Sequence, residues 1–150
     1  MGLEPLRSFL RPRRTIALDT SVLIYQLDKN ARYFSLSDFV FAWLERPGNS
    51  AITSTLSMTE LLVPAYREGD EHRLKAYKGL LSTYPGLSWI PPDHGIAGIA
   101  ARLRASYGLK TPDAIQAATA VNTQTRGFVT NDPVYRRVTE LDTVVLDDLL

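Results

Sequence analysis

Four acidic residues stand where strands give way to turns or where helices open. They are Asp19 in Ile16-Ala-Leu-Asp19-Thr20-Ser21, Glu60 in Thr59-Glu60-Leu61-Leu62, Asp113 in Thr111-Pro112-Asp113-Ala114, and Asp132 in Thr130-Asn131-Asp132-Pro133. Carboxylate oxygens together with water suit a hard divalent cation, Mg²⁺ or Mn²⁺. Such a site, with open water positions, is suited to hydrolysing a phosphodiester bond. Four like charges gathered without a cation would repel and raise one another's pKa values. Arg102, Arg104, Lys110, Arg136 and Arg137 flank the acids in sequence and are candidates for holding the backbone phosphates of such a substrate.

Each acid also has a purely structural reading. Asp19 with Thr20 and Ser21 can cap a helix, and Ser57-Met58-Thr59-Glu60 matches a capping box. Thr111-Pro112-Asp113 reads as a cap, a proline at the first helical position and an acid favoured by the helix dipole. Asn131-Asp132-Pro133 is an ordinary turn sequence. Only their joint placement separates the chemical reading from these.

That placement depends on the elements around them. Short apolar runs over Thr15–Asp19, Ala51–Thr53, Leu87–Ile90, Phe128–Thr130 and Thr143–Leu146 read as five strands. Between them lie helical patterns over Val22–Leu27, Ser35–Arg46, from Ser57 onward, over Asp70–Ser82, from Asp93 to Gly108, and from Thr111 towards Gly127. Strands alternating with helices predict an α/β fold: a mainly parallel five-stranded sheet with helices on both faces. Ligands of such sheets bind at the carboxyl ends of the strands. Asp19 ends the first strand there, Asp132 follows the fourth, and Glu60 opens the helix after the second. The helix of Asp113 feeds directly into the fourth strand through Gly127, so it runs antiparallel to that strand and begins at the same rim. If strand order brings the first and fourth strands together, the four acids can converge.

The 150 residues fit one domain, and 45% hydrophobic with 22% charged residues excludes a disordered chain. Lys and Arg number 17 against 16 acids, a net charge of +1, which argues against binding nucleic acid through bulk charge but leaves charge segregation open. With no cysteine there are no disulfides, thiolate metal sites or cysteine nucleophiles, and His72 and His94 are too few for a histidine-rich site. No run is apolar enough to span a membrane. Residues 1–14 carry Arg7, Arg11, Arg13 and Arg14 and read as a basic, frayed N-terminal extension to a domain of residues 15–150 in a cytoplasmic protein.

These segments, in this order, resemble the PIN-domain nucleases, and most closely the VapC-type ribonuclease toxins of toxin–antitoxin pairs. The carriers are Ile16-Ala-Leu-Asp19-Thr20-Ser21, Thr59-Glu60-Leu61-Leu62, Leu109 through Ala118 around Thr-Pro-Asp-Ala-Ile-Gln, and Val129-Thr130-Asn131-Asp132. The resemblance implies a PIN-like three-layer fold with sheet order 3-2-1-4-5. It also implies Mg²⁺- or Mn²⁺-dependent endoribonuclease activity, homodimerisation and inhibition by a small cognate antitoxin. Within it Asp19 and Asp113 would be the most direct metal ligands, Glu60 and Asp132 would act directly or through water, and Thr130 would support the cluster. The N-terminal extension departs from the pattern. Pro64, four residues after Glu60, removes a hydrogen bond to the Glu60 carbonyl and is expected to kink that helix.

Other functions compete. The same nuclease could process RNA as a housekeeping enzyme, or the fold could serve as a non-catalytic interaction module. A phosphotransfer enzyme of the haloacid-dehalogenase type also begins with a strand ending in Asp, but it needs a second Asp where Ser21 stands. Glycine patterns for nucleotide phosphates and a Gly-x-Ser-x-Gly elbow are absent.

Overall fold

A computed structural model describes residues 2–150. Strands β1 (Thr15–Leu18), β2 (Ser50–Ser54), β3 (Leu87–Ile90), β4 (Gly127–Thr130) and β5 (Asp142–Val145) form one sheet in the order β3-β2-β1-β4-β5. Every pairing is parallel, with Ala17 opposite both Ile52 and Phe128 at the centre. The adjacency of β1 and β4, which the sequence left as a condition, is therefore met.

Alternation along the central strands splits the core into two layers, as a two-faced sheet requires. Ile16, Leu18, Ala51 and Val129 face one cluster, while Ala17, Ile52 and Phe128 face the other. Helices α1 (Leu3–Leu10), α2 (Thr20–Leu27), α3 (Phe34–Leu44), α4 (Leu56–Glu68) and α5 (Glu71–Ser82) contribute to the first layer. Helices α6 (His94–Tyr107) and α7 (Thr111–Asn122) build the second. Buried Ala114, Ala117, Ala118 and Ala120 keep α7 slim where it packs on α6 and the sheet. Asp93 caps α6 by accepting from the Ile96 N–H, and Gly108 ends it in the left-handed region at φ 69°.

Two local expectations are corrected. The basic N-terminal segment is not a frayed arm: it folds as α1, with Leu6 and Leu10 fully buried in the core. Helix α4 runs unbroken through Pro64, whose ring is exposed, and only one carbonyl loses its donor there. Thr111 is not a cap, because Lys110 occupies that position and the Thr111 hydroxyl accepts a hydrogen bond from Arg104.

Candidate active site

Asp19 sits at the last residue before α2 and caps it, its Oδ1 accepting from the Ser21 N–H at 3.1 Å. The structural reading of this residue, a helix cap, is thus realised. Oδ1 also accepts from the Ser21 hydroxyl and Oδ2 from the Thr130 hydroxyl, each at 2.5 Å. Asp19 is only 6% exposed, and burial pushes its carboxyl up to about 6 from 3.8, against the lowering effect of these hydrogen bonds. Thr130 Oγ1 in turn accepts from the Asp132 N–H at 2.9 Å, so one hydroxyl on β4 orders two of the acids.

The other acids arrive from three further segments. Asp113 enters from the first turn of α7, half-buried, with its Oδ1 accepting from the Tyr135 hydroxyl at 3.3 Å. Its carboxyl is raised first by burial and then by the neighbouring Asp132 charge. Asp132 caps the 3₁₀ turn Pro133–Arg137 by accepting from the Val134 N–H at 2.9 Å. Glu60, exposed on the first turns of α4, accepts from the Thr20 hydroxyl at 2.5 Å. All four line one cleft of about 250 Å³ together with Thr20, Ser21, Ile24 and Tyr135. The expected convergence at the carboxyl rim is observed, but burial contributes more to the raised pKa values than mutual repulsion does.

The capping-box reading of Ser57 and Glu60 is corrected by the same geometry. No side chain caps α4; Thr55 holds the cap position, and Ser57 is fully buried beneath the cleft. The Gln116 amide donates to Ser57 Oγ, which lies 2.8 Å from Thr20 Oγ1 and 3.1 Å from Thr53 Oγ1. Thr53 spends its own proton on the Leu18 carbonyl at 2.9 Å, and Thr20 spends its proton on Glu60. Ser57 must therefore be a donor to one of these threonines. A buried polar chain runs from α7 to the Glu60 carboxylate. Sequence reasoning offers Ser57 and Thr20 only as capping residues and assigns no site role to Gln116 or Tyr135. Gln116 stands three residues after Asp113 on one helical face, and Tyr135 three residues after Asp132, so the signals were present in the spacing.

The flanking cations do not form one group. Arg102 makes a two-armed pair with Glu140 at 2.8 and 3.0 Å, and Arg136 pairs with Asp148. Arg104 reaches Thr111, and Arg137 reaches the Tyr107 and Gly108 carbonyls, both around the turn that leads to Asp113. Lys110 stands at the cap of α7, its charge easing Asp113 downward.

Among the described residues no three His, Asp or Glu side chains are gathered tightly enough to close on a metal ion. The donor set nevertheless fits a hard cation in kind. Asp113, Asp132 and Glu60 each use one named oxygen within the protein, and two of the four acids, Glu60 and Asp132, are exposed and able to rotate towards an ion. The chemistry of the cleft is that of clustered carboxylates on the rim of a parallel sheet.

That fold and rim define a class, and the PIN domain profile matches residues 16–141. The chain belongs to the PIN domain family. Among solved structures it is similar to a toxin–antitoxin complex from Klebsiella pneumoniae, with 25% identity and a TM-score of 0.63 over 87% of this chain and 97% of that one. VapBC2 from Rickettsia felis, bound to a DNA fragment from its promoter, is 16% identical with a TM-score of 0.63, covering 87% and 98%. FitAcB from Neisseria gonorrhoeae is 18% identical with a TM-score of 0.62, covering 87% and 97%. A comparison with curated proteins gives no significant match. Among the described residues no helix is long and apolar enough to cross a membrane.

Proposed function

We propose that this protein is a divalent-metal-dependent endoribonuclease that hydrolyses RNA phosphodiester bonds and acts as the toxin of a toxin–antitoxin pair. The observation that carries the reading is the convergence of Asp19, Glu60, Asp113 and Asp132, from four separate segments, on one cleft at the strand ends. Membership of the PIN family and the likeness to toxin–antitoxin complexes support it.

In this reading Asp19 and Asp113 hold Mg²⁺ or Mn²⁺ most directly, with Glu60 and Asp132 acting directly or through water. The cation, when bound, supplies Lewis-acid stabilisation of the charge that develops on the phosphate oxygens. The protein's part is orientation. Thr130 and Ser21 fix both oxygens of Asp19, Tyr135 steers Asp113, and Thr20 holds Glu60. Hydrolysis adds one water across the scissile P–O bond, and Arg104, Lys110 and Arg137 stand nearest the α7 entrance to steady the flanking phosphates. A small cognate antitoxin would cover this rim, and a homodimer and a cytoplasmic location belong to the same reading.

The test is RNA cleavage by purified protein with Mg²⁺ or Mn²⁺, compared with Asp113→Asn. Loss of cleavage is expected; undiminished cleavage would overturn the reading. Growth arrest on expression, relieved by a protein encoded beside it, separates a toxin from an RNA-processing enzyme.

A further inference from the structure

A second cavity lies away from the acids. It measures about 420 Å³ and is lined by Arg7, Arg11, Arg13, Arg14 and Arg46, with no acidic residue in its wall. Phe39 and Trp43 from α3 form its apolar floor. Arg14 directly precedes β1 and Arg46 lies just ahead of β2, so the cleft sits at the amino edge of the sheet, opposite the acid rim. Asp19 lies five positions after Arg14, which along a strand is about 17 Å.

The five guanidinium groups are not equivalent. Arg13 is spent on the fold: it bonds the Phe9 carbonyl at 2.5 Å and Asp142 at 3.1 Å, and it lies 4.1 Å over the Phe9 ring. Arg7 pairs with Glu4 and lies 5.5 Å over Phe39. Arg11, Arg14 and Arg46 are exposed, and no carboxylate of the described residues lies within ion-pair distance of them. Arg11 caps α1, which Leu6 and Leu10 dock into the core, while Arg14 and Arg46 stand in the turns that lead into β1 and β2, so the cluster is not a loose basic tail.

We propose that this cleft binds the phosphodiester backbone of an RNA strand at a point remote from the acid rim. The choice of RNA rests on the nuclease reading above; the anion chemistry does not. Arginine forks match phosphate oxygens in two-armed geometry, and a nucleic acid supplies one such anion per nucleotide, the density that three unpaired guanidiniums in one cleft require. The near-zero net charge thus conceals a local cluster of unpaired arginines at the edge opposite the acid rim. RNA held at the arginine cluster would be presented to the acid rim without a uniformly basic protein.

Binding of a labelled single-stranded RNA of about 20 nucleotides, in EDTA so that nothing is cut, tests this as salt rises from about 50 to about 200 mM. The triple variant Arg11→Gln, Arg14→Gln, Arg46→Gln should flatten the log–log salt slope by about 2, at about 0.7 per lost contact. Over that salt range the wild type then loses roughly 20-fold more affinity than the variant. The triple Arg→Lys variant keeps the charge and should keep the slope; a loss there too would mean that the fold, not the charge, had failed, and would overturn the proposal. An unchanged slope in the Gln variant, or tighter binding of a poly-glutamate peptide through the same arginines, also overturns it. Adding Mg²⁺ separates the two readings: no cleavage with intact cleft binding refutes the nuclease, whereas intact cleavage with no effect of the Gln triple refutes the cleft.

Discussion

The Thr130 hydroxyl at the end of β4 donates to Asp19 Oδ2 at the end of β1 at 2.5 Å, across 111 residues of sequence. Both side chains are buried, so the contact ties the two central strands together at the point where the carboxylates gather. The same oxygen of Thr130 receives the Asp132 N–H. One hydroxyl therefore fixes the position of one acid and the backbone of another.

Thr130→Val keeps the shape and removes that hydroxyl. A buried carboxylate loses a donor and a backbone N–H loses its acceptor, so the expected destabilisation is about 1–3 kcal/mol. Urea unfolding measures it, and a change within about 0.5 kcal/mol, the range of an ordinary surface substitution, would show that the contact is not structural. Cleavage should fall with it, because Asp19 loses one of its two orienting hydroxyls.

The pH dependence of the metal-free protein has a defined sign. Asp19 is an acid whose native pKa, about 6, lies above its ordinary 3.8, so the native state holds a proton that the unfolded chain has released. Stability therefore rises as pH falls from about 7 to about 4; the cost of the charged form, at most about 3 kcal/mol, is fully present above the native pKa. Asp113 shifts in the same direction. Denaturant midpoints across this range should show the rise in the wild type and a much smaller one in Asp19→Asn. Identical profiles would mean that Asp19 is not desolvated in solution.

A divalent cation should reverse that preference. At free Mg²⁺ or Mn²⁺ of about 100 times Kd the stabilisation is about 2.7 kcal/mol, on the order of 5–10 °C in Tm for a domain of this size. The shift should be larger near pH 8 than near pH 5, because the ligands must be deprotonated. Differential scanning fluorimetry with and without EDTA measures it. A non-catalytic module without a metal site would show no such shift.

The chain from Gln116 through Ser57 and Thr20 to Glu60 predicts loss of function without contact with substrate. Thr20→Val removes the donor to Glu60 and should lower cleavage or metal affinity by about 10- to 100-fold, the usual effect of groups that orient ligands. If Glu60 served only its helix, Thr20→Val would leave kcat and metal affinity unchanged.

Helix α1 belongs to the core. Leu6→Ala empties a fully buried site between α1 and the rest of the first layer and should cost about 2–5 kcal/mol. A frayed arm would tolerate that substitution at no measurable cost, and thermal unfolding decides between them.

Much of this molecule is legible in one dimension. The apolar runs of β1 to β5, the Asp93 and Gly108 signals at the ends of α6, and the acids Asp19, Asp113 and Asp132 at element junctions follow from periodicity and capping chemistry, which are local properties. So does the rim on which those acids lie, because a helix feeding a parallel strand must begin at that strand's carboxyl end. The adjacency of β1 and β4 is different: it is a pairing of backbones more than 100 residues apart, and only the resemblance implied it. The capping box expected at Ser57 fails for the same reason, since a serine hydroxyl takes its partner from whatever packs over it, here Gln116 and Thr20. The arginines of residues 7–14 looked like a solvated tail because charge spacing carries no record of Leu6 and Leu10 being buried. The sequence alone determined which residues could do chemistry and on which edge they stand. Tertiary structure decided which of them meet, because burial and long-range hydrogen bonds exist only once the sheet has closed.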